Sequence, residues 1–138
     1  MNGLIASPLA LIGRVLLAAI FVHAGIGKLF DYGGTVGYIA SAGLPLPPLA
    51  YLGAIFCELV CGVALVLGLY TRAAAAFMAL FTLITALAFH YHPDDAGQMI
   101  NFWKNISMLG GLITVVGWGP GALSLDALRG RRAGSQAG

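Results

Sequence analysis

The stretch Ala54-Ile-Phe-Cys-Glu-Leu-Val-Cys-Gly-Val-Ala-Leu65 sets one carboxylate, Glu58, near the middle of an otherwise uncharged run from Pro48 to Tyr70. A hydrocarbon core of ~30 Å is crossed by about 20 helical residues at ~1.5 Å each, so a run of this length can span a bilayer. Counted from either end, Glu58 then lies about 15 Å deep. A carboxylate at that depth is costly unless it is paired, protonated or wetted. The remaining residues are therefore read first for groups that can answer Glu58.

Composition places the chain in the same class. Hydrophobic residues make up 59% and charged residues 9%, whereas soluble domains carry about 25% charged residues. The expectation is an integral membrane protein built as one small domain over residues 1–138. The net charge of +2 says less than the placement of the charges. Nucleic-acid binding is not expected, because the basic cluster Arg129, Arg131 and Arg132 sits in a short polar tail. A cleavable signal is not expected either, since the N-terminal region lacks an early Lys or Arg and its apolar run outlasts a signal core. Cys57 and Cys61 stand i and i+4 on one helix, where a disulfide is strained and zinc spacing is absent. They read as packing thiols.

Working outward from Glu58, four apolar spans appear, at about 9–30, 48–70, 73–92 and 99–118, followed by a polar and mobile tail over 119–138. Asp31-Tyr-Gly-Gly34 is expected to break the first helix, and Thr35–Ala42 to form a short interfacial helix. Leu44-Pro-Leu-Pro-Pro48 is extended and ends in prolines suited to a helix start. The fold class is all-α, a four-transmembrane-helix bundle. Arg14, Arg72, Arg129, Arg131 and Arg132 fall on the side of the termini, and the positive-inside rule makes that side cytoplasmic. Small residues at Gly25, Gly27, Gly62, Ala73–Ala76 and Gly110-Gly111 suit close helix packing in lipid.

Depth then selects candidates for the site. His23 lies roughly 10 Å inside the outer end of the first span and Lys104 roughly 8 Å inside the fourth, both within reach of Glu58. Asn101, Lys104 and Asn105 share a helix face through i+3 and i+4 spacing. His90 and His92 stand at the outer mouth, and Arg14 reaches in from the opposite side. The expected partners of Glu58 are Lys104 or Arg14, in a polar cluster with His23. Glu58 and His23 are the candidate catalytic residues; Lys104, Asn101, Asn105, Arg14 and His90 are candidate ligand contacts. The ordinary alternatives are a register-fixing ion pair for Glu58, a hydrogen-bonded core role for His23, and snorkelling for Lys28 and Arg14. No metal site is expected: His90-x-His92 points to different helix faces. Nucleotide-loop, haem-attachment, nucleophile-elbow and zinc-protease motifs are absent.

Taken in order, these features resemble the DoxX family of small bacterial inner-membrane proteins. The pattern is Arg14, then His23-Ala-Gly-Ile-Gly-Lys28-Leu29, then Glu58-x-x-x-Gly62-x-x-Leu65-x-x-Gly68-x-x-Thr71-Arg72. His90, Asn101-Phe-Trp-Lys-Asn105 and Gly119-Pro-Gly-Ala-Leu-Ser-Leu-Asp126 complete it. The resemblance implies a four-helix multi-pass protein of the inner (cytoplasmic) membrane, linked to redox chemistry through quinone or thiols. The extra domain of thiosulfate-oxidising relatives is not expected here.

Three functions fit these residues. The first is a redox-associated membrane subunit, part of a quinone-linked oxidoreductase, in which Glu58 or His23 exchanges protons and Lys104, Asn101 and Asn105 hold carbonyl oxygens of a quinone. The second is a small-solute or ion pathway. The third is a structural or assembly partner without catalysis of its own. The bilayer, a membrane or extracytoplasmic redox partner, and a homo-oligomer are the interactions in view.

Overall fold

The computed structural model describes residues 3–135, and the Arg132 side chain and the last three residues of the tail lie outside the described part. Helix α1 runs from Gly3 to Phe30. It is followed by the short α2, Tyr32–Ser41, and by three long helices: α3, Pro47–Leu67; α4, Thr71–His90; and α5, Ala96–Trp118. Helix α6, Leu125–Ser135, is the last described element. Among the described residues, α1, α3, α4 and α5 are long and apolar enough to cross a membrane. The all-α four-span architecture read from the sequence is the observed one.

Local chemistry explains the helix boundaries. The first break falls at Asp31 rather than at the paired glycines. Asp31 caps α2 by accepting a hydrogen bond from the Gly34 N–H at 3.0 Å, and both glycines lie inside the helix. Prolines at the first two positions start α3, where their missing N–H costs nothing. Asp95 caps α5, accepting from Gly97 N and Gln98 N. Gly68, at φ +67°, ends α3 in the left-handed conformation that glycine tolerates.

Packing is uneven along the bundle. Ala18, Leu65, Ala75, Met78 and Leu112 are fully buried in one contiguous cluster. By their places in the helices, they belong to the half of the bundle nearer Arg14 and Arg72. The other half, where Glu58 lies, holds a cavity of about 620 Å³. Large apolar side chains such as Leu16, Leu52, Leu80 and Ile113 face outward, as lipid-facing surface requires.

The tail departs from expectation. Residues expected to be mobile form α6, and its first turn is tied to the α3–α4 turn. Asp126 N donates to Gly68 O at 2.9 Å. The Asp126 carboxylate accepts from Tyr70 N, Thr71 N and Thr71 Oγ1 at 2.9, 2.9 and 2.8 Å. Tyr70 has φ +46° and supplies no side-chain cap for α4, so the orphaned N–H groups at that helix start find their acceptor in the tail. Burial pulls the Asp126 carboxyl upward, but the Thr71 and Tyr70 hydrogen bonds and nearby Arg129 prevail and hold it below the usual carboxylate range. Arg129 stacks over the Tyr70 ring at 4.7 Å and donates to its hydroxyl at 3.1 Å.

Candidate functional site

Glu58 sits in a wide π-helical turn, Phe56–Cys61, interrupting the α-helical run of α3. A second π turn, Ala86–His90, ends α4. Both face the same cavity, the first through Cys57 and Glu58 and the second through Phe89 and His90. Such insertions gather at functional sites, because the wide turn re-aims side chains that a regular helix would place elsewhere.

The partner of Glu58 is Lys28. Lys28 Nζ meets Glu58 Oε1 at 2.7 Å, with the carboxylate side chain 6% and the lysine side chain 27% exposed. The expected pairing with Lys104 or Arg14 is therefore corrected. Depth made Lys104 and Arg14 eligible, but the faces of the helices decided otherwise. The missed signal is Gly25-x-x-Lys28, which puts a glycine and a cation on one face of α1. Gly25 is buried against α3. A Cβ there would lie 2.7 Å from Leu59 Cγ and 3.0 Å from Glu58 Cβ, so only glycine allows this approach. Tyr51 donates from its hydroxyl to Lys28 O at 3.2 Å and steadies the end of α1.

Glu58 Oε2 is buried and has no hydrogen-bond partner among the described residues. The carboxylate thus spends one oxygen on Lys28 and keeps the other in reserve. An unanswered buried acceptor costs roughly 1–3 kcal/mol. A proton on Oε2, or a donor brought by a ligand, would answer it.

The other sequence-selected residues scatter. Asn105 and His90 line the cavity, and His90 Nδ1 pairs with Gln98 Oε1 at 2.8 Å, joining the end of α4 to the start of α5. Asn101 is half-buried and outside the cavity lining, and His23 and Lys104 are exposed on the outer faces of α1 and α5. Lys104, one residue before Asn105, takes no part in the cavity lining. Arg14 lies at the opposite end, 1% exposed. Its Nη1 donates to Leu65 O at 3.0 Å and Val66 O at 3.4 Å, and its Nη2 to Leu123 O at 2.6 Å. It closes the C-terminal end of α3, where carbonyls are left over and the helix dipole favours a cation.

The cavity walls are mostly apolar. Phe77, Phe81 and Phe89 from α4 face Ile39 and Tyr38 from α2 and Ala54 from α3. Tyr38 stacks on Phe89 with ring centroids 5.1 Å apart, fastening α2 across the cavity's far end. Cys57 and Cys61 are buried free thiols, and Cys57 lines the cavity. Groups of three or more His, Cys, Asp or Glu side chains able to hold a metal do not occur among the described residues.

Comparison with known proteins places this geometry in a family. The DoxX family model matches residues 9–91, which carry Arg14, Lys28, Glu58 and His90. The chain is 41% identical over 123 residues to inner membrane protein YphA of Escherichia coli (strain K12), covering 86% of this chain and 88% of that protein. It is 38% identical over 120 residues to inner membrane protein YqjF of the same organism, covering 86% and 89%. No solved structure matches the chain. A match over more than half of the chain, with two relatives aligned nearly end to end, makes this multi-pass inner-membrane protein a member of the DoxX family.

Proposed function

We propose that the chain is a redox-associated membrane subunit that receives the head group of a lipid-soluble quinone in the Glu58–Lys28 cavity and handles its protons, while a separate partner supplies electrons. The observation that carries this reading is the partnerless Glu58 Oε2 beside an apolar cavity. At about 620 Å³, the cavity is of the size that small-molecule sites have, roughly 300–1,000 Å³. Aromatic walls suit a planar ring, and the orphaned oxygen suits a hydroxyl donor, so the residues present fit such a group. When bound, a quinone supplies two-electron, two-proton redox chemistry. The chain's own residues then place and protonate. Lys28 Nζ, the more accessible member of the pair, and the Asn105 amide hold carbonyl oxygens, while Glu58 takes up or releases a proton at Oε2. His23 and Lys104, both on outer faces, enter no step of this scheme.

In the proposed orientation the arginine-bearing end faces the cytoplasm, and the cavity lies in the outer half. A solute pathway is the weaker reading, because the packed cluster around Leu65, Ala75 and Met78 fills the arginine-side half.

The test begins with protein purified in mild detergent. Organic extraction followed by mass spectrometry should recover quinone in proportion to protein. Decylubiquinone and menadione should raise the unfolding temperature, whereas an alkylbenzene without carbonyl groups should not. Glu58→Gln should weaken the quinone effect tenfold or more. Absence of both co-purified quinone and any quinone-specific shift rejects the reading.

A further inference from the structure

The span least suited to lipid is also the least deeply buried of the four. Helix α5 is the least apolar of the four spans, yet only 6% of its most apolar stretch is buried, against 22% in α1, 39% in α3 and 33% in α4. In a lone bundle the order should be reversed, because lipid cannot satisfy polar groups and polar spans turn inward. The exposed residues of α5 include Trp103, Lys104, Ser107, Gly110, Thr114 and Gly117. Lys104 stands eight residues into the helix, ~12 Å from its start. Among the described residues it has neither an ion-pair nor a hydrogen-bond partner, the one ion pair there being that of Lys28 with Glu58. Beside it a groove of about 530 Å³ runs between α5 and α1, floored by Leu17 and Ile20.

We propose that this face of α5 and the adjoining groove receive a transmembrane helix of a different membrane protein, carrying a carboxylate at the level of Lys104. A cation within a span is stabilised by an opposite charge at its own depth. The face is also shaped for close approach. The Ser107 hydroxyl donates to Trp103 O at 2.9 Å and the Thr114 hydroxyl to Gly111 O at 2.6 Å. Their polar atoms are thereby answered within α5, leaving small surfaces beside Gly110 for a neighbouring helix. A second copy of this chain fits poorly. Glu58 is the sole acid within the spans, and its buried carboxylate is engaged by Lys28. A copy in the same orientation brings Lys104 toward Lys104. The inference rests on α5 and its groove with α1, which shares Ile20 and Met108 with the cavity lining, and it does not depend on what the cavity holds.

The experiment places a photo-cross-linking amino acid at Ser107 or Gly110 of the full chain in native inner membranes, with exposed Val63 on α3 as the control position. The expected product is one discrete protein adduct from positions 107 and 110 and none from 63. Its cross-linked peptide lies in a span containing Asp or Glu. Lys104→Glu and Lys104→Gln should each reduce the adduct at least tenfold, with thermal stability unchanged because the residue is exposed, and Lys104→Arg should keep it. Exchanging the partner's acid for lysine should restore the adduct of Lys104→Glu. The inference is overturned by an adduct to a second copy of this chain, by phospholipid adducts alone, by a peptide from a span without an acid, or by an adduct indifferent to Lys104→Glu.

Discussion

The two halves of the bundle handle buried charge in opposite ways. In the packed half, Arg14 and Asp126 turn mainly to backbone atoms: three carbonyls for the arginine, whose Nε alone stays without a partner, and two N–H groups plus the Thr71 hydroxyl for the aspartate. These partners cannot leave without a helix end coming undone. In the open half, Glu58 turns to a single side chain, keeps one oxygen without a partner, and borders a cavity. Charge directed at helix ends is architecture. Charge directed at a partly exposed lysine beside a cavity is available for chemistry.

The largest effect should come from the architectural side. Arg14→Met keeps bulk but strands the carbonyls of Leu65 and Leu123, and it should cost roughly 3 kcal/mol. Unfolding in mixed detergent micelles measures it. A loss below about 1 kcal/mol would erase the contrast between the halves. Gly68→Ala comes next. At φ +67° a Cβ is strained, and it would press on Arg14 Nη1 and on Ser124 Cβ. The expected cost is about 2 kcal/mol, and a silent substitution would mean that the turn is looser than described.

Asp126→Ala should cost about 1 kcal/mol, as loss of a helix cap does. It carries a pH signature as well. The folded-state carboxyl is depressed below its unfolded value. Its contribution is therefore fully present above the ordinary carboxylate range and is lost as pH falls through the lower folded value. Wild-type stability should decline with acidification in that window, and Asp126→Asn should flatten the decline. Equal acid sensitivity in both proteins would assign the loss to other groups.

Smallest of all should be the cysteines. Cys57→Ala and Cys61→Ala each remove one small buried side chain and should cost no more than about 1 kcal/mol, leaving quinone-analogue binding within twofold. A mixed disulfide trapped through either residue would move the chemistry away from Glu58.

These contrasts also mark what the sequence could show. The spans were legible because uncharged runs of bilayer length have few other uses, and Glu58 stood out for the same reason. The Arg14 and Asp126 contacts were not legible. Their partners are backbone atoms 51 to 109 residues away, which no side-chain pattern announces, so a docked helix looked like a polar tail. Lys28 lies in the last turn of α1, where snorkelling is the ordinary role of a lysine. Depth nominates His23 and Lys104, but rotation about the helix axis decides contact. Two π turns shift that rotation beyond what an ideal period gives.

The central claim is that the Glu58–Lys28 pair is retained for a ligand and its protons rather than for the fold. The most direct measurement compares Glu58→Gln with the double change Glu58→Gln, Lys28→Met, recording unfolding stability and quinone-analogue binding on the same samples. The single change strands a lysine and should lose about 1–2 kcal/mol. The double change should return to within about 1 kcal/mol of wild type while binding stays at least tenfold weaker. Recovery of binding together with stability would contradict the account and make the pair a structural tie.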